Sequence, residues 1–173
     1  TARHSCEAEG AATWNGYTIN CIYADGALYD IYQVTGGAST CMTTDANSCP
    51  NGMDIWVPRT YEHAKAVYDI YGLDYTQLVG IYRSEDGCGS CTSYAMNSAA
   101  MEYYADATGG TTGWTSVAAE PWFVRYTTYS EPSGDYTAYC WLANNGWNDD
   151  DGWMPNDNGC GMCFSNYLCS TNG

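Results

Sequence analysis

The sequence predicts an α+β fold with a small, mostly antiparallel sheet, one main helix at about residues 60–71 and long loops stapled by disulfides. Three features predict it: apolar side chains at helical spacing after Thr60, a short apolar run at residues 78–82, and ten cysteines in 173 residues. A chain of this length corresponds to a single domain, residues 1–173, which is long enough to bury a core.

The first part of this domain, residues 1–52, is predicted to be a cysteine-rich β segment. Residues 28–34 alternate between apolar and polar side chains and are followed by Gly36 and Gly37, which indicates a strand closed by a turn. Residues 17–19 indicate another short strand. Because four cysteines fall within this segment, we expect disulfides to hold its strands together.

The strongest helical pattern in the chain begins at Thr60. This residue is a good N-cap, Glu62 complements the positive end of the helix dipole, and Gly72 predicts the helix end. The apolar positions that follow the helical period are Tyr61, Ala64, Val67, Tyr68 and Tyr71. Both ends of the helix are therefore specified by the sequence.

Beyond the helix, the pattern predicts two further strands and much irregular chain. Residues 78–82 form an apolar run between polar residues, as in a buried central strand. Residues 93–105 favour a second helix or a long loop, because Ala and Met favour helix whereas the following Thr and Gly residues break it. Residues 122–126 predict a strand that leads into a Glu-Pro turn at Glu131, and a long irregular loop region is expected near residues 84–160.

Acidic residues dominate the charge of the chain. There are 20 Asp and Glu residues against 5 Lys and Arg residues, which gives a net charge of −15. This charge repels the phosphates of nucleic acids and anionic membrane surfaces, so neither is expected as a partner. No apolar run approaches the length of a membrane span. The even number of cysteines favours a disulfide-bonded, secreted protein of the extracellular space.

The sequence offers no complete catalytic site, so the protein is expected not to be an enzyme. Residues 88–91, Cys-Gly-Ser-Cys, resemble the nucleophile segment of papain-like proteases, but that family needs a histidine far downstream. The only histidines, His4 and His63, lie upstream. The Cys-x-x-Cys spacing at residues 88–91 and 160–163 would suit zinc, but a secreted context favours disulfides.

The C-terminal quarter carries the features that predict a binding site. Cys140 and Cys160 bracket a stretch rich in Asn, Asp, Gly and Trp, so a disulfide between them would enclose an irregular loop with many oxygen ligands. Calcium prefers such oxygens, and the same groups beside a Trp can bind a sugar. An acidic, solvated loop without a ligand is the alternative.

The order of short motifs in this quarter resembles the second half of a C-type lectin-like domain. The motifs are, in order, Glu131-Pro132-Ser133, Cys140, Asn156-Asp157-x-x-Cys160 and Leu168-Cys169. Upstream, residues 60–64 look like the first helix of that family, and residues 78–82 look like its core strand. The resemblance covers residues 53–169 and implies a C-type lectin-like fold for them.

The resemblance also implies a calcium cofactor and a glycan that completes the coordination of the ion. Carried over position by position, the calcium ligands would be Glu131, Ser133, Asn156 and Asp157, with Asp135 as a substitute for the acidic residue that the family has just before its Cys. The carbohydrate-binding residues would be Glu131, Asn156, Asp157 and Trp147. The chain departs from the family where Ser133 replaces the usual Asn, Pro155 replaces the Trp before Asn-Asp, and Tyr68 replaces the Cys of the first helix.

The cysteines can all close locally, as the pairs 6–21, 41–49, 88–91, 140–160 and 163–169. Sequence alone does not fix the connectivity, and a bond from Cys169 back to Cys41 or Cys49 is an open alternative, because Tyr68 occupies the place of the family's usual partner. The predicted disulfide residues are Cys6, Cys21, Cys41, Cys49, Cys88, Cys91, Cys140, Cys160, Cys163 and Cys169.

Two functions from different classes fit these features. The first is a secreted, non-enzymatic recognition module that binds carbohydrate, with calcium as a candidate cofactor and a glycan or an extracellular protein as its partner. The alternative is a self-assembling structural subunit of an extracellular matrix, coat or filament, which would form a homo-oligomer or polymer. The 17 Tyr and 7 Trp residues against 2 Phe favour this alternative, because aromatic side chains with a polar tip are common at protein interfaces.

Overall fold

A computed structural model describes most of the regular structure of the chain. The described residues are 6–34, 39–41, 46–83, 103–104, 114–117, 122–123, 131–132, 139–148, 152–159 and 162–172. They form two larger antiparallel sheets, one two-stranded sheet and one helix. Within these ranges, no helix is long and apolar enough to cross a membrane.

The larger sheet joins the N-terminal segment to the C-terminus. Its strands, in spatial order, are β1 Gly10–Trp14, β2 Tyr17–Ala24, β3 Ala27–Gln33, β11 Leu168–Ser170 and β4 Asp54–Ile55, all antiparallel to their neighbours. The strands predicted at residues 17–19 and 28–34 are thus confirmed. The β1–β2 and β2–β3 hairpins turn through Asn-Gly and Asp-Gly pairs at positive φ, as type I′ turns require.

The second sheet is built around the strand that follows the helix. Its order is β10 Gly152–Gly159, β9 Tyr139–Asn148, β5 Leu78–Arg83 and β7 Trp114–Ser116, again antiparallel throughout. Strand β5 confirms the central strand predicted at residues 78–82. A separate pair is formed by β6 Tyr103–Tyr104 and β8 Trp122–Phe123. The rest of the predicted element at residues 93–105 lies outside the described residues.

The helix, α1 Tyr61–Thr76, begins as the sequence predicts and ends later. The Thr60 hydroxyl accepts a hydrogen bond from the His63 backbone N–H at 3.0 Å, which confirms the N-cap. Gly72, which was predicted to end the helix, does interrupt it, because its backbone is non-helical with a φ of 72°. A short second helical segment continues beyond this kink to Thr76, whose hydroxyl donates to the Gly72 carbonyl at 2.8 Å.

One main core receives side chains from both larger sheets and from α1. Its fully buried tryptophans are Trp56, Trp114, Trp122, Trp141 and Trp153. A smaller cluster on the outer side of the five-stranded sheet contains Trp14, Ile19 and Cys21. Most of the tryptophan in the chain therefore stabilises the interior and is not available for an exposed interface.

The prediction of a C-type lectin-like fold, with a small sheet and long irregular loops, is wrong. Strands account for 51% of the described residues and helix for 15%. The stretch expected to be an irregular loop contains the hairpin of β9 and β10, in which Trp153 lies opposite Trp147. The many Asn, Asp and Gly residues of this stretch are typical of loops. Nevertheless, buried and partly exposed side chains alternate along β10, as they do in a strand. One helix on antiparallel sheets is a small α+β arrangement, and it is not specific to C-type lectins.

Three disulfides connect the described residues, and two of them join distant parts of the chain. The Cys6–Cys21 bond is confirmed. The predicted local pairs 41–49 and 163–169 are wrong, because the bonds are Cys41–Cys163 and Cys49–Cys169, and the second of these is the alternative left open for Cys169. Strand β11 places the C-terminal cysteines beside the segment that follows β3. They therefore form long-range bonds with that segment instead of a local bond with each other. The predicted pairs 88–91 and 140–160 lie outside the residues whose side chains are described.

Loss of the two long-range disulfides should destabilise the protein more than additively. When the other disulfide is absent, each of these two bonds closes a loop of about 120 residues. When the other is present, the same bond closes a ring of only about fifteen residues. Removing Cys49–Cys169 or Cys41–Cys163 by paired Cys→Ala substitutions should each lower the free energy of unfolding by about 3 kcal/mol. Removing both should lower it by about 8 kcal/mol, measured by denaturant unfolding. A quadruple variant whose loss does not exceed the sum of the two double variants would contradict this account.

Candidate functional site

Two of the residues predicted to bind calcium, Asn156 and Asp157, point to opposite faces of β10. Asn156 and Asp157 are consecutive on β10, where Asp157 is buried and Asn156 is partly exposed. The Asn156 side-chain oxygen accepts a hydrogen bond from the Asp157 backbone N–H at 2.9 Å. Glu131 is partly exposed, and Ser133 and Asp135 lie outside the described residues. The calcium site stays a prediction.

Trp147, predicted to stack on a sugar, packs against α1. Its ring centroid lies 5.0 Å from that of Tyr61 and 5.9 Å from that of Tyr68. The Lys65 ammonium lies 5.4 Å from the ring centroid. The ring is half-buried, and these three helix side chains lie close to it. Its main contribution is to hold the β9–β10 hairpin against α1.

A buried polar unit lies at the start of α1, around His63. The His63 ring is fully buried, stacks on Tyr29 at 3.8 Å between centroids, and meets the edge of Trp56 at 5.8 Å. Its Nδ1 accepts a hydrogen bond from the Arg59 backbone N–H at 3.2 Å. The Arg59 guanidinium lies 4.3 Å from the centroid of the Tyr29 ring. Across the described residues, His63 Nε2 and the Nε and Nη2 atoms of Arg59 have no hydrogen-bond partner.

Burial controls the charge of this unit. Burial lowers the pKa of His63 well below 6.5, and the adjacent Arg59 lowers it further. Burial also lowers the pKa of Arg59 to about 10, an effect opposed by Tyr29 and Asp30. The imidazole is therefore neutral at neutral pH, and the guanidinium remains charged. Because no solvent reaches the His63 ring, this unit supports the fold and offers no surface to a substrate.

A surface cleft lies where the end of α1 meets the segment that precedes β11. It encloses about 270 Å³ and is lined by Asp74, Gln77, Met162, Cys163, Phe164, Ser165 and Asn166. The polar groups are one carboxylate, two side-chain amides and one hydroxyl. Met162 and Phe164 supply apolar surface beside them. Such a mixture of convergent polar groups and apolar surface is typical of sites for small polar ligands.

The floor of this cleft is held by covalent and backbone bonds. Cys163 is tied to Cys41, and residues 40 and 164 exchange backbone hydrogen bonds of 2.7 and 2.9 Å. The Phe164 ring packs edge-on against Trp141, with centroids 4.7 Å apart. On the other wall, the Gln77 carbonyl accepts from the Asn144 N–H at 2.7 Å. The cleft is thus anchored to β9 of the four-stranded sheet and to the segment that follows β3, and it is preorganised.

Exposed apolar side chains lie on both chain segments that line the cleft. Of the large hydrophobic residues that are exposed in the described structure, Ile70 and Leu73 lie on the last turns of α1, and Met162 lines the cleft itself. Tyr17 and Tyr23 lie elsewhere, on β2. Ile70 is 52% exposed, so it is not a residue that the fold requires to be apolar. Apolar surface beside a polar cleft favours a binding role.

The sequence does not reveal this cleft, because its walls come from two distant segments. Neither the end of α1 nor residues 162–166 carries a recognisable motif. The Asn156-Asp157 pair led instead to the prediction of a site on the β9–β10 hairpin. The available signal was Cys163, since a cysteine bonded to a distant partner fixes the loop around it.

Comparisons with protein-family models, with curated proteins and with solved structures find no match to this chain. The similarity to C-type lectin-like domains therefore stays a prediction from short sequence motifs.

Acid should destabilise the protein through His63. Its pKa lies well below 6.5 in the fold and near 6.5 in the unfolded chain, so below that pH the unfolded state binds more protons. The free energy of unfolding should fall by about 1 kcal/mol between pH 6.5 and 5.5. Denaturant unfolding across this range should give a flatter pH dependence for His63→Gln. The control Thr13→Ala, an exposed change on β1, should keep the wild-type slope, and an unchanged slope in His63→Gln would refute the assignment.

Proposed function

We propose that the protein is an extracellular, non-enzymatic recognition module that binds carbohydrate in the cleft between the end of α1 and residues 162–166. The observation that carries the proposal is the lining of this cleft. Asp74, Gln77 and Asn166 present carboxylate and amide groups beside the apolar side chains of Met162 and Phe164. A sugar requires this combination, because its hydroxyls need donors and acceptors while its C–H faces need apolar contact.

The size and rigidity of the cleft support a small glycan unit as the ligand. Its volume of about 270 Å³ lies just below the range of drug-sized pockets. The Cys41–Cys163 bond and the backbone bonds to Thr40 fix one wall before any ligand arrives. A preformed site loses less conformational entropy on binding, which favours affinity from few contacts.

A binding role without catalysis is supported by the scarcity of titratable groups in the cleft. Asp74 is the single carboxylate among its lining residues. Glycoside hydrolysis generally needs two carboxylates that flank the bond to be broken. The extracellular assignment is supported by the disulfides, since every cysteine whose side chain is described is bonded. Such bonding is typical of oxidising compartments.

Substitutions in the cleft should reduce glycan binding while leaving the fold intact. The double variant Gln77→Ala/Asn166→Ala removes two hydrogen-bonding side chains, each worth about 1 kcal/mol, so affinity should fall at least tenfold. Isothermal titration calorimetry with a panel of oligosaccharides measures this. The matched control is Thr13→Ala, an exposed change on β1 away from the cleft. Equal affinity in the double variant and the control would refute the site.

The same titrations test the calcium prediction. Repeating them in chelator, and with Glu131→Gln, shows whether an ion takes part in binding. Loss of glycan affinity in both cases would place the ligand at the predicted calcium site instead of the cleft. Affinity that is independent of calcium supports the cleft.

Self-association is the second candidate function. It is favoured by the exposed side chains of Tyr23 and Ile70 and by the edge strand β1, which pairs only with β2 in the described part of the chain. The burial of nearly all described tryptophan weighs against it. Sedimentation in chelator distinguishes the two functions: large oligomers at tens of micromolar protein would favour assembly, and a monodisperse monomer would exclude it.

A further inference from the structure

We infer that the ligand of the cleft carries positive charge and that the protein selects protonated amino sugars over neutral and anionic ones. This inference rests on the proposed function and adds the ligand class. The observation that supports it is the placement of charge in the described structure. A carboxylate lines the cleft, and the cationic side chains are engaged in contacts outside it.

The cations of the described residues are Arg59, Lys65 and Arg83. Arg59 and Arg83 are buried, with 7% and 1% of their surface exposed, and each lies over an aromatic ring. Lys65 is exposed but forms an ion pair of 2.6 Å with Asp69, one turn further along α1. The described surface therefore offers no uncommitted cation to an anionic ligand.

Asp74 is the charged side chain of the cleft. It is exposed, and within the described structure it forms neither an ion pair nor a hydrogen bond through its carboxylate. It differs in this from Asp69 on the same helix, which is paired with Lys65. The whole chain carries a net charge of −15, so the field at Asp74 adds to an overall negative potential. The Asp74 carboxylate and the overall negative potential both attract a cationic ligand, whereas both repel an anionic glycan.

The remaining lining groups favour an amino sugar over a basic peptide. Gln77, Ser165 and Asn166 each offer both donors and acceptors. Sugar hydroxyls also act as both donors and acceptors, so they can satisfy these groups in pairs. Lys and Arg side chains only donate, and they would leave the donors of the cleft unmatched. The apolar surface of Met162 and Phe164 suits the C–H face of a pyranose ring.

The test uses tetramers of glucosamine and of N-acetylglucosamine, which share a backbone but differ in charge at a pH of about 6. Calorimetry at low salt should give at least tenfold tighter binding for the glucosamine tetramer, and the ratio should shrink as salt is added. Asp74→Asn should abolish the preference, so that the two tetramers bind with equal affinity. The control Asp69→Asn changes the net charge equally outside the cleft and should keep the preference.

The outcomes separate the two levels of the proposal. Equal binding of both tetramers would overturn the amino-sugar inference and leave carbohydrate binding in place. Binding of neither tetramer, nor of any other oligosaccharide, would overturn the proposed function itself. A lysine tetramer that binds as tightly as the glucosamine tetramer, with the same loss in Asp74→Asn, would overturn the sugar assignment in favour of a basic peptide.

Discussion

The fold depends on the insertion of β11 between β3 and β4. This short strand is fully buried, and it joins the N-terminal hairpins to the strand that leads into α1. The Trp56 N–H donates to the Leu168 carbonyl at 3.0 Å, and the Asn172 side chain bonds both Ile55 and Val57 at 2.9 Å. The Cys49–Cys169 bond fixes the strand covalently. Because the cleft segment runs directly into β11, the same insertion positions the candidate site.

The two ends of α1 have different physical roles. At its start, the Thr60 cap and the buried His63 attach the helix to the core, at the expense of burying polar atoms without partners. After the kink at Gly72, Leu73 and Asp74 are exposed, whereas Thr76 is buried and the Gln77 carbonyl accepts a hydrogen bond from the Asn144 N–H. The start of the helix therefore holds the fold together, and its end, which is also anchored, exposes an apolar side chain and a carboxylate beside the cleft.

Local features of the fold could be predicted from the sequence, and long-range ones could not. The helix start at Thr60 and the strand at residues 78–82 could be predicted, because capping and short apolar runs depend on neighbouring residues. The hairpin within residues 139–159 was missed because its Asn, Asp and Gly content resembles a loop, although burial alternates along β10. The Cys41–Cys163 bond spans 122 positions, and spacing does not determine such a pairing. The cleft was missed for the same reason, since its two walls meet only after β11 is in place.

We propose that the ligand binds between the end of α1 and the segment before β11. To test this, amide chemical shifts of the ¹⁵N-labelled protein are followed during titration with a glucosamine tetramer. The largest changes should fall at residues 74–77 and 162–166. Largest changes at Glu131, Asn156 and Asp157 would refute this site and favour the predicted calcium site.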